Sequence, residues 1–490
     1  MSEFAERCGL HDDARRRALK AASEAITKQG LELVRFGWCD LHGAVRGKTL
    51  VAAAAAKAML DGVGMVGTLV LKDTGDRTAY KVWDKDGMAG LPGFEFASNL
   101  LLLADPTSLK VLPWADKTGW VRCQPWFPDG QAVEVDTRRV LERALERLAL
   151  AGYGMRCGLE VEMHIYRIED ERMAPEDAGW PGPAPRVTML HPGYHMLGEM
   201  WFDRAEPALR IVQHTAQALG LPLHSLEVEF GPSQVEAVFD VTDAMTAADN
   251  MVLFRNAVKQ ALYRAGYLVS FMCRPPFAEV MSSGWHLHQS LYDLKTGHNV
   301  FMRESAVAGA TPDQAQYTLS EVGERYLAGL LAHGRGMTVF CTPTINGFGR
   351  FRPNALAPQS AVWGRDNRGA MLRVVGEPGD RGTRIENRIG EPSANPYLYI
   401  ASQIHAGLDG LEQGLQAPLA TDSPYGDADA MLPTSLGDAL RALQSDATLV
   451  SSFGRTFVDY FVKVKESELN RHAQAADKDE FERREYFGRL

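Results

Sequence analysis

Hydrophobic and polar positions follow two different periods along this chain. Residues 12–30 carry their charges on a helical period and stop at Gly30. The stretch LELVRFGWCDLHGAVRGKTL (31–50) then alternates in the manner of a hairpin, with Asp40-Leu41-His42-Gly43 as its turn. VAAAAAKAMLDG (51–62) reads as a short helix stopped by glycine. Three strand-like pieces follow, SNLLLLADP, LKVLPW and GWVRCQPWF, before the turn Pro128-Asp129-Gly130. Asp136 has the character of a helix N-cap. The segment behind it, TRRVLERALERLALAG, places Val140, Leu141, Ala144, Leu145 and Leu148 on one face and charges on the other. The pattern divides the chain into a β-rich unit over 1–134 and a second domain over 135–490. Strands and helices mix in that second domain without an even βαβ rhythm, so the expected fold class is α+β.

Composition narrows the function. The 490 residues are 45% hydrophobic and 23% charged, ordinary for a globular protein. A net charge of -10 argues against nucleic acid or an anionic membrane as main partner. The six cysteines are scattered without a CxxC pair, which fits reduced thiols rather than a disulfide framework or a zinc site. No apolar run approaches the roughly 20 residues of a membrane span. The N-terminus is charged and lacks the apolar core of a secretory signal. A soluble, cytoplasmic protein is expected.

Against that background four segments carry chemistry. In GLEVEMHIY (158–166), strand alternation turns Glu160 and Glu162 to one face. Two adjacent carboxylates repel unless a cation or proton lies between them, although an isolated pair also fits a solvated strand edge. EVEFGPSQVE (227–236) places acids at both ends of a Gly-Pro turn, and alone it fits a surface loop. In SGWHLHQS (283–290), the same alternation aligns His286, His288 and Ser290, as ligands, phosphate contacts or packing residues. Eight arginines fall between 350 and 388, and Arg384, Glu386 and Arg388 share a strand face. Guanidinium forks match phosphate and carboxylate oxygens, so an anionic ligand is expected there. Carboxylates and imidazole for a hard divalent cation, with arginines for phosphates, describe a site for Mg²⁺ or Mn²⁺ and a nucleotide. There is no GxxxxGK[ST] loop, so the nucleotide is not held by a P-loop.

The ordered run GLEVEMHIY, EFGPSQVE, SGWHLHQSL, TPTINGFGRFRPNALAP, RDNRGAMLRV and RIENRIGEPSANPYLYIASQIHAGLDG resembles the catalytic domain of glutamine synthetases. The resemblance implies an N-terminal β-grasp domain and a catalytic domain with a curved antiparallel sheet. It also implies ring-shaped self-association, a dodecamer, with each site at a subunit interface. It implies two or three Mg²⁺ or Mn²⁺ ions, with ATP as co-substrate. One ion would take Glu162, Glu229 and Glu236, with Glu227 a rival to Glu229; the other would take Glu160, His286 and Glu386. His288, Ser290 and Arg384, with Arg368 and Arg373, would contact ATP. Arg368 and Arg373 would act on the transferring phosphoryl group. Arg350, Arg388, Ser282 and Gly284 would hold glutamate.

Two positions depart from that pattern. The family carries an acidic residue that serves ammonium two positions before Pro358; this chain has Leu356. Where the family has Asn-Gly before Ser-Gly-x-His, this chain has Met281-Ser282. An apolar side chain in place of an acid is more similar to the branch that makes γ-glutamyl amides from organic amines. The expected acceptor is a neutral or apolar amine, an arylamine or short alkylamine, with Leu356, Met281, Trp285 and Asp73 as candidate amine-pocket residues. The competing readings are an ammonia-using glutamine synthetase, a polyamine or ethanolamine ligase, and an inactive structural or sensory descendant.

Overall fold

The alternating segment folds as the hairpin its pattern predicts. Strand Leu33–Cys39 (β1) pairs antiparallel with Val45–Val51 (β2), and Asp40 closes the turn by its main-chain bond to Ala44. Gly43 sits at the tip with φ of 78°, a left-handed conformation open to glycine at little cost. The computed structural model describes residues 3–490 apart from 11, 85, 89, 308–314, 353–355 and 427–429. Val63–Val66 (β3), Asn99–Ala104 (β4), Lys110–Val111 (β5) and Thr118–Trp126 (β6) extend the hairpin into one sheet. Its order is β2-β1-β6-β4-β3, with β5 on β6 and with β1 and β6 parallel. The segment LKVLPW forms only the two-residue β5, because Pro113 has no N–H to continue the ladder.

Asp136 caps the helix Thr137–Leu150, its carboxylate accepting from the Arg139 amide at 3.2 Å. Val140, Leu141, Ala144 and Leu148 are buried, as the periodicity predicts. Behind this helix runs Tyr153–Asp170 (β7), the centre of a second sheet. Its partners are Arg186–Met189 (β8), Gln234–Asp243 (β10), Tyr267–Ser270 (β11) and Trp285–Asp293 (β12), and Leu223–Val228 (β9) pairs with β10. Trp363–Arg365 (β13), Leu372–Val375 (β14) and Arg384–Gly390 (β15) complete it. The order is β13-β14-β15-β12-β7-β10-β9, with β8 and β11 on the far part of β7.

Strand alternation splits this sheet into two faces. Leu159, Val161, Trp285, Leu287 and Val235 join the main core, where the helix Pro396–Gln413 lies buried along nearly its whole length. Glu160, Glu162, Glu236, His286 and His288 point the other way. The N-terminal sheet is tied to the rest by polar contacts within one chain. Trp38 donates to Asp136 at 2.8 Å, Asn395 to the Asp40 carbonyl at 3.0 Å, and Tyr460 to the Val70 carbonyl at 2.6 Å. Among the described residues no helix is long and apolar enough to cross a membrane.

Candidate active site

Register assembles the site. Glu236 on β10 lies opposite Glu227 on β9 and Glu162 on β7. Glu160 lies opposite His286 on β12. His288 pairs across to Glu386 on β15, which pairs with Arg373 on β14. Six strands thus contribute one polar row, drawn from segments more than two hundred residues apart. His286 Nδ1 is 3.4 Å from Glu160 and 3.7 Å from Glu386, and His288 Nε2 is 2.9 Å from Glu160.

Electrostatics divide the carboxylates into two kinds. Burial, with Glu229 close by, pushes Glu162 up to about 7. Burial and Glu162 push Glu236 up to about 10, and burial raises Glu229 as well. Against the burial that would raise it, His286, Arg388 and His288 hold Glu386 down at about 2. Hydrogen bonds to His286 and His288 likewise hold Glu160 low in spite of burial. Burial and Arg388 lower His286 to about 4, so it is a neutral imidazole at physiological pH and free to ligate. Like-charged carboxylates crowded together with a neutral histidine fit a divalent cation.

The donor atoms group differently from the expected sets. Among the described residues, Glu160, Glu236 and His286 bring ligand atoms within 4.8 Å of one another, and so do Glu160, His288 and Glu386. Glu160 serves both groups, and His288, expected at the nucleotide, stands with the ligands. Glu162, outside both groups, stays beside Glu229 and Glu236 while its Oε2 accepts from Gln234 at 2.8 Å and from the Gly284 amide at 3.0 Å. Gln234 was legible from the sequence: it lies two residues before Glu236, on the same strand face.

The arginines are held by the protein itself. Arg388 is buried and committed to Glu386, to the Arg368 carbonyl at 2.9 Å and to the Leu356 carbonyl at 3.5 Å. Arg350 donates to the carbonyls of Arg388 at 2.9 Å and Gly390 at 3.1 Å. A Cβ on Gly284 would come within 2.4 Å of Arg350 Nη2, so glycine there makes room for the guanidinium. Ser282 beside it accepts from Arg274 at 3.4 Å. Arg373 bridges Glu386 at 2.9 Å and Asp366, an acid the sequence did not single out, while Arg368 is exposed. Arg384 donates to His288 Nδ1 at 2.9 Å. With His288, Ser290, Arg156 and Asn299 it lines a cavity of about 340 Å³ beside the carboxylates.

Two candidates for the amine pocket are fully buried in this chain. Trp285 is fully buried and meets Tyr399 edge-on at 5.0 Å; the alternation that aligns His286 with His288 turns Trp285 into the core. Asp73 has no exposed surface and accepts from the amides of Gly75 and Arg77, from Ser467 at 2.8 Å and from Arg471 at 2.9 Å. It is a structural anchor in its own chain. Leu356 is 63% exposed with φ of 53°. Met281 packs onto Gly231, where a Cβ would sit 2.8 Å from its own. Next to Met281, at the turn that holds Gly231, is an aromatic pair the sequence did not point to. Phe230, whose amide donates to Glu229 at 3.1 Å, meets Tyr194 edge-on at 5.4 Å, and the two are 44% and 49% exposed.

A family model described as the glutamine synthetase catalytic domain matches residues 134–484. A gamma-glutamylanilide synthase from Acinetobacter sp is 37% identical over 100% of this chain and 99% of its own length. Gamma-glutamylethanolamide synthetase GlnA4 of Streptomyces coelicolor is 30% identical over 90% of this chain and 89% of its own. A solved structure titled "Apo GmaS without ligand" superposes with a TM-score of 0.75 at 26% identity, covering 93% of this chain and 97% of that one.

Proposed function

Since this chain belongs to the glutamine synthetase family, we propose that it joins the γ-carboxylate of L-glutamate to a neutral, apolar amine, an arylamine, using ATP. The observation that carries the choice of amine is the rim of Phe230, Tyr194 and Met281 next to Glu229, together with Leu356 in place of an acid. An alkylammonium ion needs an anionic site to concentrate it and a base to take its proton. An arylamine is already unprotonated at neutral pH, and its ring gains about 25 cal/mol per Å² of apolar burial. The full-length similarity to a protein named for anilide synthesis supports the same class.

In this reading a glutamate γ-carboxylate oxygen attacks the γ-phosphorus of ATP and ADP leaves. The amine nitrogen then attacks the acyl carbon, expelling phosphate and losing a proton. The cavity lined by His288, Ser290 and Arg384 seats the nucleotide. Arg373 and Arg368 face the transferring phosphoryl group, where fixed positive charge stabilises the transition state without reorganising. Arg350 and Arg388 keep the carboxylate end positively biased. A divalent cation, Mg²⁺ or Mn²⁺, held by Glu160 with Glu236 and His286 or with His288 and Glu386, would neutralise phosphate charge when bound.

The test is glutamate-dependent phosphate release across a panel of aniline, isopropylamine, ethanolamine, putrescine and ammonium. Aniline is expected to give the highest kcat/KM, and putrescine the lowest for want of an acid at the distal ammonium. A panel led by ethanolamine or ammonium would overturn the choice of amine and leave the family assignment standing.

A further inference from the structure

A second concentration of charge lies away from the catalytic face, where the β1–β2 turn meets the helix Ala244–Arg264. A cavity of about 220 Å³ opens in this seam, lined by His42, Arg255, Lys259, Ser393 and Arg489 among others, with no aspartate or glutamate in its wall. Several other cations withdrawn from solvent are matched by acids, whereas Arg350 too meets carbonyls. Arg138 lies 3.0 Å from Asp249, Lys465 lies 3.0 Å from Glu468, and Arg471 bridges Asp73 and Glu485.

Among the described residues, the three cations of the seam, the buried Arg255, the half-buried Lys259 and the exposed Arg489, donate to main-chain oxygens. Arg255, 6% exposed, donates to Pro392 at 2.8 Å, Ala394 at 2.9 Å and Gly43 at 3.4 Å. Lys259 donates to Leu490 at 2.9 Å and Gly488 at 3.5 Å, and Arg489 to Thr74 at 2.7 Å. Carbonyls satisfy the hydrogen bonds without neutralising the charge. The neighbouring acids are engaged: Asp40 with Arg46 at 2.6 Å, and Glu391 with Thr344 at 2.8 Å. Burial lowers Arg255 to about 10, and burial with Arg255 and Arg489 lowers Lys259 to about 7. A carboxylate at Leu490 would offset one of the three charges and leave two.

We infer that this seam binds a small oxyanion, a di- or tricarboxylate or a phosphate, between Arg255, Lys259 and Arg489. The volume holds about seven waters at roughly 30 Å³ each, which matches an anion of that size. Lys259, Gln260 and Arg489 also line an adjoining cavity of about 700 Å³ bounded by the loop around residues 171–185, which gives a route from solvent. The occupant would touch both parts of the chain. Gly43 belongs to the N-terminal turn, while Arg255 grips the segment that follows β15, the strand carrying Glu386 and Arg388. A ligand that binds only the assembled seam stabilises that assembly by mass action.

The experiment is calorimetric titration of the full-length protein with succinate, citrate and inorganic phosphate at fixed ionic strength, with sodium chloride as control. Saturable binding is expected, weakened about 10- to 100-fold in Arg489→Gln and in Lys259→Met, as for loss of a charge-assisted hydrogen bond. Arg489 is exposed, so its variant folds even if Lys259→Met does not. Stronger binding of succinate or citrate identifies a carboxylate site, and stronger binding of phosphate a phosphate site. Binding that persists unchanged in Arg489→Gln belongs to the catalytic arginines and overturns the proposal. So does a response that chloride reproduces, or no binding at all.

Discussion

At the scale of single residues, the proposed choice of amine turns on which side chains replace a carboxylate in the acceptor site. Phe230 sits one residue from Glu229, so in the proposed function a ring stacked on it would lie beside the carboxylates. Phe230→Ala is expected to lower kcat/KM for aniline about tenfold while leaving ammonium use unchanged. Tenfold is about 1.4 kcal/mol, or roughly 55 Å² of apolar contact at 25 cal/mol per Å². Leu356→Glu is expected to depress the aniline rate, because a carboxylate facing the ring loses solvation without a partner. Steady-state rates on both acceptors check the pair, and a substitution that leaves the aniline preference untouched removes that residue from the pocket. Departure from the family's pattern is what singles out Leu356 and Met281 in the sequence. The Phe230–Tyr194 pair was not, because its two rings meet across a loop and a turn 36 positions apart.

At the scale of elements, strand alternation explains both what the sequence revealed and what it misplaced. It aligns Glu160 with Glu162, His286 with His288, and Arg384 with Glu386 and Arg388. The same rule turns Trp285 inward, against a reading that placed it in the pocket. Which carboxylates share donor atoms depended on inter-strand register, and a sequence does not print register. The joint between the helices Glu321–Ala332 and Gly334–Cys341 offers a test of a different kind. His333 there lies 3.0 Å from Asp409 and 2.8 Å from Asp446, and these carboxylates raise its pKa above the ordinary value in spite of burial. A raised histidine pKa adds stability in full below the unfolded value of about 6.5, and that stability is lost as pH rises through the folded value. Thermal melts of wild type and His333→Gln should therefore differ most near pH 6, with the gap narrowing as pH rises. A gap that widened with pH would contradict the ion pairs.

At the scale of the whole molecule, the N-terminal sheet is anchored to the C-terminal helix Arg455–Gln474 through Asp73, Arg471 and Glu485, groups about 400 positions apart. No local pattern could have announced that contact, in which Asp73 is fully buried. Asp73→Ala should cost about 3 kcal/mol of stability, as for one partner removed from a buried ion pair. Its KM for the amine should stay unchanged, which denaturant melts and kinetics on one preparation would show together. A raised amine KM at unchanged stability would return Asp73 to the acceptor site. The central claim is that this ligase prefers a neutral aromatic amine to ammonium. Its most direct test is internal competition: aniline and ammonium in one reaction with glutamate, ATP and Mg²⁺, the two amides quantified by mass. γ-Glutamylanilide is expected to form with the larger kcat/KM. Glutamine as the faster product would contradict it.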